Sequence, residues 1–276
     1  MLKNNYHTHT YLCRHAEGMV KDYAKVASDY GFCELGMSDH GPVLKDFMSQ
    51  EEAKRSHIDT ACMDLSEIDL YLKQIEEAKN LYPNLKILSG FETEFLEDKE
   101  EYYRELRNKV DYLNLGIHFF KVDGKIIDTY LDMNYKNLND YVNNAENALK
   151  SGLYTTFCHP DLFMFDYKDK NGNRTFDEEC EKATRRICEL ALKYDVYLEV
   201  NCNGIKYAID RNNYEGWRYP YPSFWQIVKE YPVKIIVGAD AHTPISLVNT
   251  NVVTALEFVE KMGLKVLDKM VVKCLK

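Results

Sequence analysis

The sequence predicts an α/β fold in which about seven parallel strands alternate with helices and close into a barrel, with a metal site at the C-terminal ends of the strands. Two observations carry this expectation. Segments of strand character alternate with amphipathic helical segments along the chain, with no low-complexity tract, short repeat or linker between them. Seven of the eight histidines fall at, or just after, the C-terminal end of a predicted strand. Strand–helix alternation implies a parallel sheet with right-handed crossovers. A doubly wound open sheet is the rival, and seven units are enough to favour closure.

The elements follow in order. A short strand precedes "NYHTH", and "MVKDYAKVASDYG" is amphipathic with Gly31 as its stop. "CELGMSDH" is the second strand, followed by a polar excursion around "KDFMSQEEAKRSHID" and a helix from about Leu65 to Tyr82. "LKILSGFETEF" is the third strand, "KEEYYRELRNKV" a helix and "DYLNLGIHFF" the fourth strand. Asn137 is a candidate cap for the helix "LNDYVNNAENALKSG". "LYTTFCHP" is the fifth strand, "DEECEKATRRICELALKYD" a long helix and "VYLEVNCNG" the sixth strand. "PSFWQIVKEY", with Pro222 in its first turn, is a helix. "VKIIVGADAH" is the seventh strand, and "SLVNTNVVTALEFVEKMG" the last helix. At 276 residues the chain suits one barrel domain spanning 1–276.

Composition excludes several classes. A net charge of −9 argues against a protein that coats nucleic acid, and no nucleic-acid partner is expected. No apolar run approaches ~18 residues, so no membrane span is expected. Cys13, Cys33, Cys62, Cys158, Cys180, Cys188, Cys202 and Cys274 are scattered, with no C-x-x-C pair and no signal peptide, which reads as reduced thiols in a cytoplasmic protein. The oligomeric state stays open.

Chemistry concentrates at the strand ends. His7 and His9 end the first strand, Asp39 and His40 the second, and Glu92 and Glu94 the third. His118 follows the fourth, His159 the fifth, Asn201 and Asn203 the sixth, and Asp240 and His242 the seventh. His15 lies just beyond the first, and only His57 sits elsewhere. In a parallel barrel these ends share one face. Side chains at i and i+2 of an extended strand point the same way, so the pairs in "HTH" and "DAH" can each grip one ion. An isolated strand histidine is usually a packed residue; seven placed together read as ligands for zinc, iron or manganese. One ion takes about four to six ligands, so the set suggests two or three metals, with Glu92 as the natural bridge. Glu94 reads as a carboxylate behind the ligands, and Asp39 as either a brace for a histidine or a substrate contact. Cys13 and Cys158 read as packing residues and His57 as a surface residue.

The motifs "HTHT", "SDH", "GFE", "GIHFF", "CHP" and "GADAH", in that order from Asn5 to about Pro244, resemble those of the PHP (polymerase and histidinol phosphatase) family. The resemblance implies a distorted (β/α)7 TIM-like barrel with two or three divalent metals. By position, one ion would take His7, His9, Glu92 and Asp240, a second Glu92, His118 and His159, and a third His15, His40 and His242. The histidine at position 15 favours three ions. The insert after "SDHGP", the helix running into "LYPNLKILSGFETEF", and "EVN" followed by "YPYPSFWQIVKEYPVKIIVGADAH" are most similar to the histidinol-phosphatase branch. That branch implies hydrolysis of L-histidinol phosphate to L-histidinol and phosphate in histidine biosynthesis.

The implied reaction is attack on phosphorus by a metal-activated hydroxide held through His7, His9, Glu92 and Asp240. The partner is then a small phosphate monoester. Arg14, Lys206, Arg211 and Arg218 are candidates for the phosphate, Glu17 and Asp161 for the amine, and Asn201 and Asn203 for orienting substrate or bracing a ligand. Two departures stand out: "FMF" follows "HPDL" where a basic residue is common, and Lys206 stands where arginine is commoner. The alternative within the family is a phosphoesterase acting on nucleotides or DNA ends. Outside it stand an amidohydrolase, disfavoured by Glu92 at the position of a mid-chain lysine, and a zinc-storage or structural metal domain, disfavoured by a His-rich rather than Cys-rich set.

Overall fold

The computed structural model describes residues 2–44, 46–57, 60–208, 210 and 216–273. Its strands are β1 (Asn4–Asn5), β2 (Glu34–His40), β3 (Lys86–Thr93), β4 (Tyr112–Leu115), β5 (Phe119–Val122), β6 (Lys125–Asp128), β7 (Tyr154–Phe157), β8 (Tyr197–Asn201) and β9 (Lys234–Gly238). The helices are α1 (Val20–Asp29), α2 (Gln50–Arg55), α3 (Ile68–Leu81), α4 (Glu100–Arg107), α5 (Leu138–Lys150), α6 (Glu178–Tyr194), α7 (Pro222–Val228) and α8 (Thr250–Met262).

Seven strands form one sheet in the order β1-β2-β3-β4-β7-β8-β9, with every pairing parallel. Past the end of β1, Thr8 and Ala241 form a parallel bridge. There His9 N donates to Ala241 O at 2.9 Å and Ala241 N to His7 O at 3.3 Å, so the last strand meets the first. The sheet is a nearly closed barrel, as the alternation predicts. The barrel helices pack apolar stripes inward, as α1 buries Val20, Tyr23, Ala24 and Ala27, whereas the short polar α2 buries none of its residues. Asp177 caps α6 through Glu179 N and Cys180 N, and Asn249 caps α8 through Asn251 N and Val252 N. Pro222 opens α7 in its first turn, as expected.

Three details depart from the sequence reading. The segment "DYLNLGIHFF" is not one strand. β4 stops at Leu115, and β5 pairs antiparallel with β6 in a separate hairpin, with Phe119 opposite Asp128. The carbonyls at the break are taken up by one residue, since Thr129 N donates to His118 O and its hydroxyl to Ile117 O. Asn137 precedes α5 but does not cap it: its Oδ1 accepts from Asn134 N at 2.9 Å and closes the turn before the helix. Beyond α8, the segment through residue 273 closes the far end of the barrel. Met270 N donates to the Tyr6 hydroxyl, Val271 N to the Tyr197 hydroxyl, and Lys269 Nζ sits 2.5 Å from Glu34 Oε1. Tyr6, Leu88, Tyr112, Tyr197, Ile236 and Met270 pack together there, so the end opposite the strand C-termini is sealed.

The cysteines of the described residues are free thiols. Among the described residues, no helix is long and apolar enough to cross a membrane.

Candidate metal centre

The C-terminal strand ends bring all nine predicted ligands into one cluster. The register of β2 against β3 sets His40 opposite Glu92. Glu92 stands at its centre. Its Oε2 lies 3.1 Å from His7 Nε2, 3.5 Å from His9 Nε2 and 3.4 Å from His40 Nδ1. Its Oε1 lies 2.8 Å from His159 Nε2 and 3.5 Å from His118 Nε2. Asp240 Oδ1 lies 3.0 Å from His9 Nε2, 3.5 Å from His7 Nε2 and 3.3 Å from His242 Nδ1. His7, His9, Glu92, His159 and Asp240 are buried, His40, His118 and His242 partly so, and His15 is exposed at the rim.

The backbone is bent to reach this arrangement. His159 and Asp240 hold left-handed φ values of 31° and 47°, which non-glycine residues adopt only where surrounding contacts enforce them. Gly116 lets Glu92 in: a Cβ there would stand 2.3 Å from Glu92 Oε1.

Second atoms of the rings fix which nitrogen faces inward. His7 Nδ1 donates to Glu199, with both carboxylate oxygens within 3.0 Å. His118 Nδ1 donates to Glu94 Oε1 at 2.8 Å, His15 Nδ1 to Cys13 O at 2.8 Å, and His242 Nδ1 to Asp240 O at 3.0 Å. Carboxylates and carbonyls only accept, so each of these rings carries a proton on Nδ1, and in its neutral form presents a lone pair on Nε2. His15 Nε2 and His242 Nε2 then face each other at 3.0 Å. Burial, and after it the charge of His9, hold both rings below the usual histidine range, His242 down to about 3. Two neutral rings with their protons committed elsewhere are two acceptors in contact, an arrangement that a cation between or beside them relieves. Deeper in, His7 Nε2, His9 Nε2 and Asp240 Oδ1 are buried without a hydrogen bond.

Burial alone would push the Glu92 and Asp240 carboxyls up. The surrounding histidines outweigh it and hold both well below the usual range, so both are anions. Ligand atoms of His7, His9 and Asp240, of His40, Glu92 and His118, and of His9, His40 and His242 each lie within 4.8 Å of one another. Imidazole nitrogens and shared carboxylates fit divalent transition metals.

Glu199 was not anticipated. It lies inside β8, fully buried, two residues before Asn201 on the same face of the strand. Asn201 Nδ2 bridges Glu199 Oε1 and Asp240 Oδ2, and Asn203 Nδ2 donates to Asp240 Oδ2 at 3.2 Å. Both asparagines therefore brace Asp240. The available signal was a charged residue amid the apolar run "VYLEVN". Gly238 makes room for it, since a Cβ there would stand 2.1 Å from Glu199 Oε2. Asp39 turns to the histidine side: it accepts from Thr10 N and the Thr10 hydroxyl, with Oδ1 3.7 Å from His9 Nδ1. Glu94 stands behind His118, as expected. Cys13 and Cys158 are buried thiols donating to Thr10 O and Glu199 Oε2, and His57 is exposed.

An open cleft rises from the cluster. Asn203 and Lys206 line it, with Asp128, Tyr130, Tyr207 and Tyr219. Other substrate candidates lie elsewhere. Arg14 pairs with Glu67 and donates to Leu12 O, which draws it along the surface. Arg218 is spent on Phe165 O and the Phe165 ring. Glu17 is exposed outside the cleft lining, and it is its backbone N that meets His242 O. Asp161 is wholly buried. Burial pushes its carboxyl up to about 7 against hydrogen bonds from Tyr221 N and Trp225 Nε1, so it anchors the approach to α7 rather than meeting an amine. Arg211 lies outside the described residues.

Fold and site together define a barrel protein whose mouth carries a cluster of histidines and carboxylates suited to divalent metal. The chain belongs to the PHP domain family, whose model matches residues 5–203. It is 25% identical to a Deinococcus radiodurans protein named "Probable histidinol-phosphatase", over 86% of this chain and 85% of that one. A Schizosaccharomyces pombe protein of the same name is 23% identical, over 94% and 86%. The fold matches a Listeria monocytogenes structure with a TM-score of 0.71 at 21% identity, covering 91% of this chain and 99% of that one. It also matches the histidinol phosphate phosphatase of Lactococcus lactis, solved with zinc, L-histidinol and phosphate, with a TM-score of 0.67 at 16% identity, covering 97% and 96%.

Proposed function

We propose that the protein is a metal-dependent phosphoric monoester hydrolase that converts L-histidinol phosphate to L-histidinol and phosphate, a step of histidine biosynthesis in the cytoplasm. The observation that carries the metal-dependent reading is the pair of acceptor nitrogens on His15 and His242, 3.0 Å apart in the lining of an open cleft. The names of the Deinococcus and Schizosaccharomyces relatives and the ligands of the Lactococcus structure support the substrate.

On this reading three ions would be held, one by His7, His9, Glu92 and Asp240, one by Glu92, His118 and His159, and one by His15, His40 and His242. Divalent zinc, iron or manganese there would lower the pKa of water and neutralise phosphoryl oxygens. The chain's own residues do the rest. Glu199, Glu94 and the Cys13 carbonyl hold protons on the outward nitrogens of His7, His118 and His15, keeping the inward ones basic. Asn201 and Asn203 fix Asp240. Lys206, its Nζ 4.9 Å from the Tyr207 ring centroid, is the one lysine or arginine among the described cleft-lining residues, which suits it to the phosphate.

The test is phosphate release from L-histidinol phosphate, a nucleoside 5′-monophosphate, a 3′,5′-bisphosphate nucleoside and a single-stranded oligonucleotide, with metal content measured on the same sample. Preference for histidinol phosphate, abolished by His9→Ala or Glu92→Ala, supports the reading. Turnover of nucleotides or the oligonucleotide in its place overturns the substrate.

A further inference from the structure

Four carboxylates line the cleft: Glu92, Glu94, Asp128 and Asp240. Three are committed to histidines. Glu92 and Asp240 lie among the ligand rings, and Glu94 accepts from His118. Asp128 is different. It ends β6, directly across the hairpin from Phe119, the residue after His118, so the hairpin delivers a carboxylate beside the metal cluster. It is 5% exposed. Its Oδ1 accepts from Tyr130 N at 2.8 Å, and the Ser56 hydroxyl, also in the cleft lining, interacts with the same carboxylate. The nearby cation Arg55 is paired with Asp132, which also accepts from Asp128 N. A carboxylate so enclosed, held by a backbone N–H and a hydroxyl but with its nearest cation paired to Asp132, is costly unless a ligand brings the opposite charge.

The surroundings fit such a ligand. Tyr130, Tyr207 and Tyr219 line the same cleft, and the Tyr130 ring stacks over His118 at 3° and 6.1 Å. Aromatic faces suit both an ammonium group and a flat heteroaromatic ring. Lys206 enters from the β8 side, while Asp128 enters from the hairpin after β4. The cleft lining thus carries charges of both signs.

We propose that Asp128 receives the cationic amine of the substrate and selects for aminoalkyl phosphates. The assignment rests on the substrate reading above. The experiment compares kcat/KM for L-histidinol phosphate and for its analogue lacking the amine, in the wild-type protein and in Asp128→Asn, which keeps an oxygen for Tyr130 N. Losing a hydrogen bond to a charged group should make the variant lose about 10- to 100-fold more on the amine substrate than on the analogue. Equal losses on both assign Asp128 a structural role and overturn the proposal, as does an unaltered preference. The deaminated analogue doubles as the control for folding, and Asp128→Glu, which keeps the charge, should recover part of the preference. A wild-type protein that hydrolyses both compounds equally overturns the substrate reading itself, a pattern distinct from a preference that survives the substitution.

Discussion

Glu199 holds His7 from behind, with both carboxylate oxygens within 3.0 Å of Nδ1, so that Nε2 points at Glu92. A carboxylate in this position fixes the ring and raises its basicity toward a metal. Removing it typically weakens metal binding by about 10- to 100-fold. Glu199→Gln should therefore retain less metal than the wild-type protein after dialysis against a graded chelator. Metal content is the readout, so the result does not depend on the choice of substrate.

Gly116→Ala should give the same phenotype through Glu92. The added methyl would meet Glu92 Oε1 at 2.3 Å, and the carboxylate must swing away from His159 and His118. Loss of bound metal with the far-ultraviolet circular dichroism of the wild type is the expected outcome. Full metal retention would mean that Glu92 is not the bridge.

Stripping the metals should lower thermal stability. Ligand at 100 times its Kd stabilises the folded state by about 2.7 kcal/mol, and each kcal/mol shifts Tm by about 2–4 °C in a chain of this class. A drop of about 5–10 °C on chelation, reversed by adding back zinc or manganese, is expected in differential scanning calorimetry.

Asp161→Ala should destabilise the fold by about 2–4 kcal/mol, because it leaves Tyr221 N and Trp225 Nε1 buried without an acceptor. Asp161→Asn preserves an oxygen for both donors and should cost about 1 kcal/mol or less. Denaturant midpoints distinguish the two.

Acid should loosen the sealed end of the barrel first. Burial would push Glu34 up, but Lys269, Tyr6 and Lys86 outweigh it and hold its carboxyl below the usual range. A lowered folded-state pKa means stability that is present above the ordinary glutamate value and lost as pH falls through the depressed one. The stability gap between wild type and Glu34→Gln should be widest near neutral pH and should shrink below about pH 4. A gap that is constant with pH counts against the ion pair.

The clustering of these histidines and carboxylates was legible because it follows from geometry that sequence preserves. Parallel strands share one end, and i, i+2 spacing keeps His7 with His9 and Asp240 with His242. The hairpin carrying Asp128 was not read, although "VDGK" held its signal. Asp123 and Gly124 both adopt left-handed φ, as a two-residue hairpin turn demands. Glu199 was hidden because strand patterning reports burial and not partners. The arginines misled for another reason: where a long side chain goes is decided by neighbours remote in sequence, Glu67 for Arg14 and Phe165 for Arg218. Asp161 was placed correctly after its strand but points into the interior, toward α7.

The seam of the barrel, at Thr8 and Ala241, lies between the ligands of the first strand and those of the last. His15 and His242 meet there across 227 residues of sequence. Contacts of such span bear the full loop-closure entropy and belong among the late events of folding. On the ribosome, a nascent chain that has not yet released its seventh barrel strand lacks Asp240 and His242 altogether. Completion of the centre thus waits for the seventh barrel strand, and a product truncated before Asp240 presents only part of the cluster.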